Sequence, residues 1–199
     1  MKTKLLLSLI FAVATANAAT ISFSNFDSGS FAGIAIVDSS GSALGVTSTA
    51  QVGYFSDEAS VSTGDFTSWV GFGAAANFGG GYDIAGLYSA DASASTAGAS
   101  NFIGKAITTL ITSASGTEYL VAKSNQTFGQ DNPLFTATYN LFSDSGTSYL
   151  FGGTAGPSVD YGTGAQASVA TAAAVPEPST YATLAGLLAL GLVMLRRRG

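Results

Sequence analysis

Three acidic side chains that lie close together along the chain, Asp57, Glu58 and Asp65, are the first candidates for chemistry. Calcium binds several carboxylate and carbonyl oxygens at once, so acids gathered in one loop form a candidate calcium site. The Asp-x-Asp-x-Asp-Gly spacing of the common calcium loop is absent, which favours the alternative of a solvated loop. The same acids are poor candidates for a catalytic pair, because nothing in the sequence places two of them across a cleft.

Aromatic residues supply a second candidate site, a platform on which sugar rings stack. Its members are Trp69 with three tyrosines, Tyr54, Tyr82 and Tyr88. The alternative is core packing, which the flanking residues Val70 and Phe72 favour for Trp69. Joined to the acids above or to Asp83, the platform defines an alternative function, a secreted carbohydrate-binding module or glycan-active enzyme. That function requires Trp69 and the acids on one exposed concave face.

The chain contains no histidine and no cysteine. A Ser-His-Asp triad, a Cys-His dyad and the usual zinc sites are therefore excluded. Disulfides are excluded as well, so packing alone must stabilise an exported domain. The sequence predicts no catalytic residue, no metal and no cofactor, and hence a protein that is not an enzyme.

The elements that would position these residues are strands. In residues 133–141, Phe135, Ala137, Tyr139 and Leu141 alternate with polar residues, the pattern of a half-buried strand. Further strands are predicted at 21–26, 31–37, 51–55, 102–112, 118–123 and 148–151, with 102–112 and 118–123 forming a hairpin. Helix is possible at 57–70 and 85–99. The predicted fold is mainly β, an antiparallel sandwich or jelly roll, over residues 19–164.

Residues 165–174 lead from this domain to the tail and consist mostly of Ala and Ser without periodicity, which predicts a flexible linker. Between residues 19 and 174 the charged groups are two lysines and eleven acidic residues, a net charge of about −9. Such a body repels phosphate backbones, so nucleic-acid binding is excluded.

The first 18 residues have the plan of a secretory signal peptide. Lys2 and Lys4 precede an apolar stretch, and Ala16-Asn17-Ala18 is a small-residue cleavage site. We expect signal peptidase to cut after Ala18, or with nearly equal preference after Ala19, during export by the general secretion machinery.

The last 25 residues combine a Pro-Glu-Pro triplet, an uncharged run at 181–195 and three arginines. The run spans roughly 22 Å as a helix, so a transmembrane helix over about 180–195 is possible but short. Arg196, Arg197 and Arg198 would stay on the cytoplasmic side, since each costs about 3 kcal/mol inside a membrane. The prolines keep the triplet extended outside the membrane.

Val175-Pro176-Glu177-Pro178-Ser179-Thr180, followed by the apolar run and the arginines, resembles the PEP-CTERM protein-sorting domain over residues 175–198. The resemblance implies a protein exported by a Gram-negative bacterium. It also implies processing by exosortase, a membrane transpeptidase that would recognise Pro176, Glu177 and Pro178.

These features together predict an inner-membrane intermediate, held transiently or permanently by its tail, that reaches the cell surface or the biofilm matrix. We expect its body to be structural or adhesive, with extracellular polysaccharide as a candidate partner.

Overall fold

A computed structural model describes residues 18–27, 30, 32–79, 83–162, 164–174 and 186–188. This part of the chain is mainly β, as the alternation of apolar and polar residues predicts. Its helical parts are a 3₁₀ helix, Ala59–Thr63, one turn of α-helix, α1, Thr96–Ala99, and the three residues 186–188 of the tail. The strands are β1 Ala18–Ser24, β2 Ile34–Val37, β3 Thr49–Phe55, β4 Trp69–Gly71, β5 Ala76–Asn77, β6 Ser89–Ser95, β7 Ala106–Thr112, β8 Glu118–Thr127, β9 Thr136–Asn140, β10 Ser148–Phe151, β11 Thr154–Ala155, β12 Val159–Asp160, β13 Ala165–Ala170 and β14 Ala172–Ala173.

The strands form three sheets, each named here after its central strand. In the β1 sheet the order is β6-β1-β9, and β1 runs antiparallel to β6 but parallel to β9. The β7 sheet is antiparallel with the order β10-β8-β7-β3-β4, while β14 also pairs with β8 and β5 with β3. In the β13 sheet the order is β11-β13-β12, and β2 lies parallel to β13.

One hydrophobic core is shared by all three sheets. Side chains alternate between the two faces of a strand, and in β1 the buried residues Ala19, Ile21 and Phe23 follow this alternation. The buried residues of the core include Ile21 and Phe23 of β1, Ile36 of β2, Val52 of β3, Ile107 and Ile111 of β7, Leu120 of β8, Tyr139 of β9 and Val169 of β13. All three sheets therefore contribute buried side chains to a single core.

A smaller cluster covers the opposite face of the β7 sheet. Phe55, Val61 and Val121 are buried there, and Phe66 and Trp69 pack against them. Val61 belongs to the 3₁₀ helix, so the segment between β3 and β4 folds back over its own sheet. This segment carries the acidic residues that the sequence singles out.

Two predictions about secondary structure are wrong. Residues 85–99 are not one helix: only Thr96–Ala99 are helical, and Ser89–Ser95 form β6, which pairs with β1 and turns the alternate residues Ala90, Ala92 and Ala94 to the core. Residues 57–70 hold only the five-residue 3₁₀ helix, which ends at Gly64 in the left-handed conformation. The strand pairing is also not wholly antiparallel, since β9 and β2 form parallel pairs.

The prediction of a flexible linker over residues 165–174 is wrong as well. These residues form β13 and β14, and the domain therefore extends to Ala174. Tertiary pairing supplies the reason, because β13 pairs with β2, β11 and β12 and leaves few backbone groups free.

Candidate functional site

The C-terminal edge of the folded body is where the predicted sorting segment begins. Ala172 and Ala173 of β14 pair with Tyr119 and Glu118 of β8, and the Ala174 amide donates to the Thr117 carbonyl over 3.3 Å. The body is hydrogen-bonded up to the residue that precedes Val175. The sorting segment is therefore joined to the sheet without a spacer.

Glu118 links the C-terminal end of the body to the rest of the domain. Its carboxylate accepts hydrogen bonds from the Ser39 hydroxyl and amide and, over 2.7 Å, from the Thr171 hydroxyl. The Ser39 and Thr171 hydroxyls lower the pKa of Glu118 below its usual value. The Thr171 amide in turn donates to the Val37 carbonyl over 2.8 Å. These contacts join the end of β13 to β2 and β8.

The sequence did not predict this clasp, by which we mean the hydrogen bonds of Glu118 with Ser39 and Thr171. Ser39 is 79 residues from Glu118, and Thr171 is 53 residues away. No local pattern connects such distant polar residues. The only hint in the sequence is an acidic residue placed at the start of a predicted strand, next to a Ser/Thr-rich turn.

The residues of the sorting segment itself lie outside the described part of the chain. This applies to the predicted recognition residues Pro176, Glu177 and Pro178 and to the arginines Arg196, Arg197 and Arg198. Of the predicted transmembrane helix at 180–195, residues 186–188 are described, and they are helical. Among the residues that the structure describes, no helix is long and apolar enough to cross a membrane.

At the other end of the chain, Ala16 of the predicted cleavage site also lies outside the described residues, whereas Ala18 is the first residue of β1. The next residue, Ala19, is fully buried in the core. The strand is thus complete, apart from its exposed first residue, when the chain starts at Ala19.

The three acids proposed for calcium do not converge. Asp57 accepts from the Ala59 amide over 3.1 Å, and Asp65 accepts from the amide and hydroxyl of Thr67 over 2.9 and 2.7 Å. Glu58 forms an ion pair with Lys123, with Nζ–Oε distances of 2.7 and 2.8 Å. Each carboxylate has its own partner. Within the described ranges no three Asp, Glu, His or Cys residues are grouped so as to hold a metal.

The aromatic platform is not assembled either. Trp69 is half-buried, its ring centroid lies 4.8 Å from that of Phe55, and its Nε1 donates to Gln51 over 2.8 Å. Tyr88 is fully buried, and Tyr82 lies outside the described residues. Asp83 occupies a turn with a positive φ of 53°. Tyr54 packs edge-on against Phe102.

Comparison with known proteins identifies the C-terminal segment. A family model described as the PEP-CTERM protein-sorting motif matches residues 174–198. No curated protein and no solved structure matches the chain. The match begins at the residue where the folded body ends. The chain thus carries a PEP-CTERM protein-sorting motif, the mark of an exported protein that exosortase, a membrane enzyme, sorts.

Proposed function

We propose that the body, residues 19–174, is a non-catalytic structural or adhesive component of the cell surface or extracellular matrix. In this proposal the signal peptide directs export, the tail holds the protein in the inner membrane, and exosortase cuts near Pro176-Glu177-Pro178. Extracellular polysaccharide is the proposed partner.

One observation carries the proposal. The last strand, β14, ends at Ala173, and the match to the sorting motif begins at residue 174. A cut at the motif therefore removes none of the described strands and leaves β13 in its sheet. The processed product is a complete domain, which suits a protein that persists outside the cell.

The architecture proposed for this body is a β-sandwich. Support comes from the core to which the β1, β7 and β13 sheets all contribute buried side chains. Support also comes from the scarcity of helix, which amounts to one 3₁₀ helix and one α-helical turn among the described residues of the body. A body of this kind, held by packing without disulfides, carries about −9 charges, which favour solubility outside the cell.

The test is intact mass spectrometry of the protein from its native host, on membrane and secreted fractions separately. We expect a secreted species that begins near Ala19, ends near Val175 and lacks the arginines. The triple variant P176A/E177A/P178A should instead remain in the membrane with residues 176–199 attached. Thr183→Ala, a change within the apolar run, serves as the matched control and should be processed normally.

The matrix role is tested in the same cultures by washing the extracellular polymer. The processed protein should remain bound to the polymer after washing. The chain length of the polymer should also stay unchanged in the presence of the protein. A wild-type protein found only in membranes with its tail intact would make the tail an ordinary anchor. Shortening of the polymer by the purified protein would contradict the non-catalytic role.

A further inference from the structure

Both lysines of the body line one cleft of about 210 Å³. The cleft lies where three neighbouring strands of the β7 sheet meet the loop that follows β3. Its polar and aromatic lining consists of Tyr54, Phe55, Glu58, Lys105, Thr108 and Lys123. The sequence separates the two lysines by 18 positions, and strand pairing brings them together.

The β7 sheet holds the two lysines in place. Thr108 of β7 pairs with Lys123 of β8 on one side and with Gly53, the neighbour of Tyr54, on the other. The register between β7 and β8 shifts between Ala106 and Thr108. Such irregularities redirect side chains and are frequent beside functional sites.

Lys105 immediately precedes β7 and lies beside an aromatic ring. Its Nζ lies 5.6 Å from the centroid of the Tyr54 ring, within the range of a cation–π interaction. The Tyr54 ring is fixed in turn by Phe102, whose centroid is 5.3 Å away at an angle of 87°. Lys105 is exposed to solvent. The ammonium group is thus supported from one side and open to a ligand from the other.

The charges of the cleft do not cancel. Glu58 neutralises Lys123 through two contacts of 2.7 and 2.8 Å. Lys105 makes no ion pair within the described ranges, so the cleft keeps about one positive charge. The remaining body is strongly acidic. This cleft is therefore the part of the described surface best suited to a negatively charged group.

We propose that this cleft binds the carboxylate of an acidic saccharide, a uronate unit of an extracellular polysaccharide. The Lys105 ammonium pairs with the carboxylate, and the Tyr54 ring offers an apolar surface to the sugar. This proposal rests on the proposed role in the extracellular matrix, and it names the ligand class for that role.

The size and charge of the cleft select this ligand. Sites for drug-sized ligands occupy about 300–1,000 Å³, so the present cleft suits a single sugar unit with its neighbours in solvent. One unpaired ammonium matches the single charge of a carboxylate better than the double charge of a phosphate monoester.

Calorimetry of the full-length exported chain in a non-ionic detergent tests the proposal, with tri-galacturonate as the probe and a neutral galactose trisaccharide as the comparison. We expect tri-galacturonate to bind, more weakly as salt is raised, and the neutral trisaccharide to bind at least tenfold more weakly. Lys105→Gln should weaken binding of tri-galacturonate about tenfold. Ser158→Glu serves as the control, because it changes the net charge by the same amount as Lys105→Gln. Ser158 directly precedes β12, which belongs to another sheet, so this substitution should leave binding unchanged.

Glu58→Gln provides a variant with the opposite expected effect. It releases Lys123 from its ion pair, so the affinity for tri-galacturonate should rise several-fold, whereas Asp91→Asn, an exposed change of the same charge on β6, should have no effect. The proposal is overturned if tri-galacturonate does not bind, or if the Lys105→Gln variant binds it as tightly as the wild type does. It is also overturned if Glu58→Gln lowers the affinity for tri-galacturonate. None of these results bears on the fractionation experiment, which tests the matrix role separately.

Discussion

The side chain of Asn25 is fully buried and makes three hydrogen bonds to the backbone of other segments. Its amide donates to the carbonyls of Ile34 and Gly86, both over 2.8 Å. Its carbonyl accepts from the Tyr88 amide over 2.7 Å. One side chain thus joins the end of β1 to β2 and to the segment that leads into β6. Buried backbone groups need partners, and Asn25 supplies three at once.

We predict that Asn25→Ala lowers the free energy of unfolding by about 3 kcal/mol, because it leaves buried backbone groups without partners. Urea unfolding followed by circular dichroism measures the loss. Asn77→Ala serves as the matched control, since Asn77 is exposed on β5. The control should change stability by less than about 0.5 kcal/mol. Equal effects of the two substitutions would contradict the role assigned to Asn25.

Tyrosines in the core make the domain sensitive to alkali. Burial raises the pKa of Tyr88 well above 10, and the nearby Tyr139 adds to this shift. Burial also raises the pKa of Tyr139 and of Tyr149, and it raises that of Tyr161 to about 12. In the unfolded chain these groups ionise near 10. The folded state therefore favours the neutral phenols.

Because these pKa values are raised by folding, their contribution to stability is complete below pH 10 and is lost as the pH rises towards 12 and above. We predict that β structure, followed by circular dichroism, is lost in the same alkaline range in which phenolate absorbance of these tyrosines appears. Tyr139→Phe should remain folded and move the transition to higher pH. Full phenolate absorbance near pH 10 with intact β structure would contradict the burial of these rings.

At the scale of the element, β13 is the least expected strand. Its sequence, Ala-Gln-Ala-Ser-Val-Ala, has no helical or clear strand pattern. Hydrogen bonds to distant segments fix it, since Gln166 accepts from the Gly33 amide over 3.0 Å and Ser168 donates to the Pro157 carbonyl over 2.7 Å. Its backbone pairs with β2, β11 and β12. A segment of low complexity is therefore the centre of a sheet.

We predict that a chain ending at Gly164 does not fold, because the loss of β13 leaves β2 and the other strands of its sheet unpaired. A chain ending at Val175 should show the same urea midpoint as the complete domain, since it keeps every described strand. Far-ultraviolet circular dichroism and urea unfolding of the two truncations distinguish these outcomes. Cooperative unfolding of the shorter chain would mean that residues 165–174 are a dispensable linker after all.

Several elements were predictable because their own residues specify them. The hairpin of β7 and β8 is confirmed, with Thr112 opposite Tyr119. The strand predicted at 133–141 contains β9, and its buried side includes Phe135, Tyr139 and Leu141. The strand prediction rests on alternating apolar residues, which need one buried face wherever the strand pairs. The hairpin prediction rests on the Ser/Gly turn between its two strands.

At the scale of the whole molecule, the two parallel pairs join distant parts of the chain. β1 pairs with β9, with Thr20 opposite Thr136, and β2 pairs with β13, with Ile34 opposite Ala167. Closing such long loops costs entropy before the contacts form. The core that all three sheets share is complete only when both ends of the body are present.

We predict that the body refolds on a time scale of about milliseconds to seconds, as β proteins with distant pairings do. Stopped-flow dilution from urea, followed by the fluorescence of Trp69, measures the rate. The packing of Trp69 against Phe55 makes it a reporter of the β7 sheet. Refolding in microseconds would show that local contacts dominate, in conflict with the observed topology.

The sequence by itself determined the mainly β class and the sorting motif at 174–198. Both depend on local order along the chain, alternation in one case and a short linear motif in the other. Tertiary structure decided the pairing of β13, the clasp at Glu118 and the cleft with Lys105 and Lys123. The residues that these features bring together are separated along the chain by between 18 and more than 100 positions. No local pattern encodes which distant strands will pair.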